Sequence, residues 1–468
     1  MSRTPLPVAL LAAALNSPAP AIALADEPAS PPSWQSITLY GVVDIGVAYQ
    51  SHGANASDYF AQGVGFGVSK NSGSAVTGLA PNGLSQTRLG VKGTHAFSED
   101  LSGLFTLETR FSPLSGEIAN GPHSLLQNNG VALAAQSANG DSSQAGQLFS
   151  AAAWAGVSSK RFGTLTLGRQ NGLLYDNVLA YDPLAGSYAF SLIGFSSSAA
   201  GGGYSEYNRL NNSARYVSGL GPVRFGAQYQ ASGQEVGGQG YQFNIGASHA
   251  GLSADLTYTN KRDAISLGSW SPTTAQLTVL QRQGLTLANS LAADVADTRS
   301  VSLMARSEWD DWTVFGGYEA IVYSTPDSTL PYVAVGASTI GGYAIGSLNT
   351  TSFAKAKVLG VSWAGAKYAL TQEIALMGAV YHYRQNSYAT DRSADCSSSI
   401  SAACSGIENA FSLVADYRYD DNIDFYGGVL HSRVEDGLSA GYLNTSVLSV
   451  MSGVRIAFRA SHQSRRKS

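Results

Sequence analysis

Along residues 36 to 50 hydrophobic and polar positions alternate. Ile37, Leu39, Val43, Ile45, Val47 and Tyr49 fall on one face, and Thr38, Tyr40, Asp44 and Gln50 on the other. A period of two is the signature of a β-strand, whose successive side chains point to opposite faces. About a dozen residues of it is long for a soluble strand and suits a tilted membrane span. The pattern recurs down the chain. Gln86, Arg88, Lys92 and Thr94 oppose Leu89 and Val91, and Phe105, Leu107 and Phe111 oppose Thr106, Glu108 and Arg110. Val223, Phe225, Ala227 and Tyr229 oppose Arg224, Gln228 and Gln230; Leu252, Ala254, Leu256 and Tyr258 oppose Asp255, Thr257 and Thr259. Near the end, Phe411, Leu413, Ala415 and Tyr417 oppose Ser412, Asp416 and Arg418, and the last segment carries Arg455 on its polar face and reaches Phe458.

Collected, these segments predict about sixteen strands, an even number as bacterial barrels require. They lie near 37–50, 84–97, 101–111, 149–159, 163–170, 209–218, 221–232, 239–249, 252–261, 298–309, 312–323, 353–369, 373–386, 408–419, 423–434 and 444–458. The connectors alternate between short turns, such as Ser98-Glu99-Asp100 and Asp310-Asp311, and long Ser/Gly/Asn-rich loops near 51–83, 112–148, 171–208, 262–297, 324–352 and 387–407. Short turns on one side and long loops on the other are the asymmetry of an outer-membrane barrel, and a β-sandwich has no reason to sort its loops this way. The loop at 171–208 is too long for an ordinary connection and too apolar to float in water. Leu173, Leu174, Tyr175, Val178, Tyr181, Leu184, Phe190, Ile193 and Phe195 all need something to pack against. The expected all-β fold is therefore a transmembrane antiparallel barrel with this third loop folded into its lumen.

Composition fits. Only 13% of residues are charged, with 52 glycines and 24 tyrosines, and the mean hydropathy of -0.02 leaves no apolar run long enough for a spanning helix past the N-terminus. Residues 1–25 read as a secretory signal, with Arg3, an apolar segment from Val8 to Leu15, and Ala23-Leu24-Ala25 before Asp26. The barrel is assigned to 26–458 and a C-terminal extension to 459–468. A formal net charge of -4 gives no large basic excess to attract nucleic acid. Since charges cannot face lipid cheaply, those on the polar faces point inward and imply a wet lumen. The alternative is that they pair and fill a plugged barrel, but about sixteen strands leave a channel too wide for side chains to fill. The loop would carry Asp176, Asp182 and Glu206 toward wall cations, and opposed charges across a narrow passage screen solutes by charge as well as size. Tyr40, Tyr49, Trp154, Tyr229, Tyr258, Trp312 and Tyr318 are the candidates for interfacial rims. Cys396 and Cys404, the two cysteines of an exported chain, are expected to form a disulfide; closing so short a loop stabilises it by roughly 2–3 kcal/mol in the chain-entropy model. The seven histidines show no metal-ligand spacing, and neither a nucleophile elbow nor a phosphate loop appears, so no catalysis, metal or cofactor is expected.

Leu39-Tyr-Gly-Val-Val-Asp44, Arg88-Leu-Gly-Val-Lys-Gly93, Phe162-Gly-Thr-Leu-Thr-Leu-Gly-Arg-Gln170, Arg209-Leu-Asn-Asn-Ser-Ala-Arg-Tyr216 and Gly453-Val-Arg-Ile-Ala-Phe458 occur in order along nearly the whole mature chain. In these the chain resembles the general trimeric porins of the Gram-negative outer membrane. The resemblance implies three sixteen-stranded barrels per assembly, embedded among outer-membrane lipid and lipopolysaccharide. Each has its own pore, narrowed by the third external loop and open to small hydrophilic solutes and ions. It implies constriction roles for Arg88, Arg169 and Arg209 on the wall and Asp176 and Asp182 on the loop, with Glu206 added from its place in the loop. Lys92, Glu108, Arg110 and Arg215 are read as lumen wall. Ala185-Gly186, Ala151 and Val42 stand where relatives carry further eyelet charges, which implies a less charged constriction and leaves ion selectivity open. The rival readings are a substrate-selective porin with an aromatic slide built from the loop's Tyr and Phe residues, and a surface-binding adhesin whose barrel is plugged.

Overall fold

The computed structural model describes residues 36–59, 69–138, 145–193, 209–233, 237–327, 339–340, 342–350, 353–389 and 395–463. Its strands are β1 (Ser36–Gly53), β2 (Ser74–Pro81), β3 (Arg88–Ala96), β4 (Leu101–Arg110), β5 (Ala152–Ser159), β6 (Gly163–Asn171), β7 (Arg209–Leu220), β8 (Val223–Gln230) and β9 (Gly240–His249). They continue with β10 (Leu252–Gly268), β11 (Ser290–Trp309), β12 (Trp312–Ser324), β13 (Thr339–Ile340), β14 (Tyr343–Thr350), β15 (Lys357–Ala369), β16 (Ile374–Gln385), β17 (Gly406–Arg418), β18 (Ile423–Asp436) and β19 (Ser446–Gln463). Among the described residues three α-helices sit in loops: α1 (Gly121–Gln127), α2 (Leu173–Tyr181) and α3 (Thr274–Arg282).

Consecutive wall strands pair antiparallel, β12 pairs with β15, and β19 returns to pair with β1. β2 and β3 both pair with β1 and form one interrupted stave, while β13 and β14 lie outside the wall. The result is a closed barrel of sixteen staves. Closure leaves no edge, as a sheet in lipid requires.

The alternation read from sequence is the inside–outside alternation of the wall. Leu167, Phe243, Leu303, Val380 and Leu413 are exposed on the outer face, whereas Thr257, Ser302 and Ser412 are buried within. A contiguous apolar belt of this kind is stable against lipid and not against water. Of the expected rim aromatics, Tyr49, Tyr229, Trp312 and Tyr318 are exposed. Tyr40 and Trp154 turn inward instead and line the lumen.

The element boundaries differ from expectation in four places. The second stave breaks at 82–87, where Asn82 takes a positive φ of 60°; asparagine tolerates that conformation better than most residues. The fully buried Asp44 replaces the missing ladder partners: Oδ1 accepts from Gly83 N at 3.0 Å, and Oδ2 from Leu84 N at 2.9 Å and Ser85 N at 2.8 Å. β10 and β11 rise well above the expected strand ends, and the loop after β12 adds β14 parallel to the β11 extension. β19 stays paired with β1 as far as Gln463, so the ladder continues beyond the expected boundary at Phe458.

Candidate functional site

The third loop crosses the lumen and is seated on the inner wall. α2 starts at Gly172, which offers no side-chain cap; wall glutamines supply the acceptors instead. Leu173 N donates to Gln228 Oε1 at 3.1 Å and Leu174 N to Gln242 Oε1 at 3.0 Å, satisfying donors that a helix start leaves unpaired. Leu174, Val178 and Tyr181 of the helix, with Leu184, Phe190 and Ile193 beyond it, form one buried cluster with wall residues such as Ile321, Val361, Trp363, Tyr381 and Leu430. Trp363 Nε1 donates to Tyr181 O at 3.1 Å, and Ser412 Oγ to Phe190 O at 2.5 Å. The far end of the loop grips the break in the second stave, where Ser187 Oγ and Ala189 N donate to Gly83 O at 2.6 and 3.0 Å. Pro183 packs on wall Gly365: a Cβ there would lie 2.5 Å from Pro183 Cγ and 2.3 Å from Gly378 O. The seat thus needs a glycine at that contact.

Between this loop and the opposite wall lies a cavity of about 800 Å³. Among the described residues its lining includes seven cations (Arg88, Arg110, Arg209, Arg215, Lys367, Arg418, Arg455) and three carboxylates (Glu108, Asp176, Asp416). The chain as a whole is net negative, whereas the described lining of this cavity is net positive. Arg88 Nε lies 3.6 Å from Glu108 Oε2, which also accepts from Tyr40 OH at 2.8 Å. Arg215 Nη1 pairs with Asp176 Oδ2 at 2.6 Å, and Asn171 Nδ2 donates to Asp176 Oδ1 at 2.7 Å. Arg110, 3% exposed, donates to Tyr188 OH at 3.2 Å, and that hydroxyl donates to Gln86 Oε1 at 2.8 Å. Arg209, 6% exposed, lies over the Tyr175 ring at 5.0 Å, a cation–π arrangement. Its Nε and Nη1 have no hydrogen-bond partner among the described residues. Arg455 is paired from behind by Asp424.

The sequence-predicted residues divide accordingly. Arg88, Arg110, Arg209, Arg215, Glu108 and Asp176 all line the cavity. Asp182 does not. It is 2% exposed, its Oδ1 accepts from Tyr381 OH at 2.8 Å and its Oδ2 from Gly186 N at 2.7 Å. Burial raises the pKa of this carboxyl above the usual carboxylate range, opposed by its hydrogen bonds. Its geometry fastens the loop and presents no charge to the lumen. Arg169 is also turned away, donating from Nε to Ser150 O at 2.7 Å and from Nη1 to Asn211 Oδ1. Lys92 is exposed with its amine 5.3 Å from the Tyr40 ring centroid, outside the cavity lining. Glu206 lies outside the described residues. Cys396 and Cys404 are bonded as expected. Lys367 and Met377 are lining residues that sequence reasoning passed over. Asp416, Arg418 and Arg455 were legible as polar-face positions but not as members of the site, because alternation gives a face and not a height in the barrel.

A closed barrel with an apolar exterior, a charged lumen and a loop wedged across that lumen defines an outer-membrane, multi-pass β-barrel of porin type. The sequence pattern of Gram-negative porins matches residues 8–437, and the chain belongs to that family. Over 233 residues it is 27% identical to an outer membrane porin protein of Bordetella pertussis; the alignment covers 48% of this chain and 46% of that protein, so about half the length of the relative is spanned. Among solved structures, an anion-selective porin from Comamonas acidovorans superposes on 90% of this chain and 100% of its own, with a TM-score of 0.59 at 16% identity. OmpT of Vibrio cholerae superposes on 91% of this chain and 99% of its own, with a TM-score of 0.53 at 10% identity. At such identities the likeness is one of fold.

Proposed function

We propose that the protein is a passive diffusion channel for small hydrophilic solutes and ions, that it favours anions, and that it works as a homotrimer surrounded by outer-membrane lipid and lipopolysaccharide after removal of the N-terminal 25 residues. The observation that carries the reading is the loop-narrowed cavity with seven cationic and three acidic side chains in its lining. Arg88, Arg110, Arg209 and Arg215, with Glu108 and Asp176, form the constriction in this reading. With Arg455 discounted for its pairing to Asp424, three positive charges remain in excess. An uncompensated cation about 8 Å from an ion in water's dielectric contributes about 0.5 kcal/mol, roughly a twofold bias in ion partition before screening. Several such cations favour anions a few-fold without trapping them, and a conducting pore needs that balance. The same sign is borne by the name of the anion-selective relative. Tyr175, Tyr181, Tyr188 and Phe190 are all less than 5% exposed, which favours an anchoring role over an aromatic slide. Reconstitution into a planar bilayer tests conduction: unitary, ohmic current steps are expected, and a protein that inserts without conducting would remove the reading in favour of a plugged barrel.

A further inference from the structure

The loop at 112–148 leaves the wall at β4 and returns at β5. Its helix α1 nevertheless packs on the raised ends of β10 and β11, and β10 stands six staves from β4 in a wall of sixteen. That is more than a third of the way round, so loop and strand extensions meet above the mouth. The local sequence prepares the contact: Asn120 caps α1 by accepting from His123 N at 3.2 Å, and Pro122 fixes the first turn. α1 buries Leu125 and Leu126 in a cluster with Ile265, Leu291, Val295 and Ile345. Asn129 Oδ1 accepts from Trp270 N at 2.6 Å, and its Nδ2 donates to Leu287 O at 2.8 Å and Ser290 O at 2.7 Å. Gly130 N donates to Trp270 O at 3.0 Å.

The same segment is tied at its other side. Ala138 N donates to Asn55 O at 2.8 Å, Ser57 Oγ to Gln127 Oε1 at 2.8 Å, and Asn71 Nδ2 to Ser137 O at 2.7 Å. Asn444 Nδ2, from the loop after β18, donates to Ser72 O at 2.9 Å. The first, second, fifth, sixth and eighth external loops are therefore joined above the lumen by an apolar cluster and paired polar groups. None of residues 112–138 lines the cavity at the constriction, so the two features share no lining residue.

We propose that residues 112–138 form a docked strap over the mouth that sets a second limit on solute size, above and separate from the third-loop constriction. Charge selection belongs to the constriction below, because Glu117 is the one Asp, Glu, Lys or Arg among residues 112–138 and α1 carries none. The strap limits the solute's cross-section, and Asn129 is the residue that positions it. The proposal rests on the channel reading.

The test compares the intact protein in planar bilayers with a Leu125→Ser/Leu126→Ser variant, which removes the apolar anchor without adding charge, reading the exclusion size for graded neutral polyethylene glycols together with the reversal potential. Undocking the strap is expected to admit larger polymers and raise unitary conductance about twofold, leaving the reversal potential where it was. Asn129→Ala, which keeps the apolar cluster, is the second variant and is expected to move the exclusion size the same way by less. An unchanged exclusion size in either assembled variant overturns the strap. A native protein that inserts without conducting sinks the channel reading instead, so the two failures are distinguishable.

Discussion

Asp182 and Asp176 lie in the same loop and have opposite surroundings. Asp176 touches the cavity but is compensated at 2.6 Å by Arg215. Asp182 is buried against Tyr381, 199 residues away in sequence. Asp182→Asn is therefore expected to leave the reversal potential unmoved. Asp182→Ala, which leaves the Tyr381 hydroxyl and Gly186 amide without this acceptor, is expected to weaken the loop seat by about 1–3 kcal/mol, read as a lower unfolding temperature. Arg209 behaves differently, being buried, cationic and aimed at the cavity. Arg209→Ala is expected to lower the chloride-to-potassium permeability ratio about twofold; an unchanged ratio would place that guanidinium outside the ion path. At this scale the sequence identified most of the charged wall, because within a strand alternation assigns each side chain a face. It misplaced Asp182 and Arg169. A loop has no such period, and Arg169 sits where the pairing of β6 with β7 shifts register between Gly168 and Gln170.

The loop elements are held by contacts with distant parts of the chain, which is why their existence was legible and their seats were not. The apolar run at 171–193 signalled that the third loop folds inward, but nothing local announced that Gly83, Gly365 and Tyr381 receive it. Gly365→Ala is expected to cost about 1–3 kcal/mol through overpacking against Pro183 and Gly378 and, by lifting the loop, to change unitary conductance; a variant with native stability and conductance would show that the seat tolerates a Cβ. The strap is expected to depend on pH. His123 lies between Tyr59, at 3.8 Å between ring centroids, and Tyr343, at 6.3 Å. Burial lowers its pKa below the ordinary histidine value, with the charge of Glu117 opposing. A group whose pKa is lowered by docking favours the docked state fully above its free value, near 6.5, and loses that contribution as pH falls through the docked value. Acidification from about pH 7.5 to about pH 5 is expected to loosen the strap and enlarge the polymer exclusion size. His123→Gln should abolish the change, and a pH-independent exclusion size in the native protein would contradict it.

For the whole molecule, sixteen staves and the sorting of short turns from long loops followed from period-two alternation and turn composition alone. The interrupted second stave, the raised β10–β11 pair and the continuation of β19 did not, because a bound carboxylate, an added parallel strand and pairing past a terminal aromatic are tertiary events. The net negative chain encloses a cavity whose described lining is net positive, and overall charge therefore says nothing about what passes through. The central claim is that this local excess governs permeation. It is tested most directly by the zero-current potential across a bilayer holding the protein between unequal potassium chloride solutions. A potential displaced toward the chloride equilibrium value, and collapsing toward zero as salt approaches about 1 M, where the Debye length shrinks to about 3 Å, is the predicted result. A potential displaced toward the potassium value would contradict it.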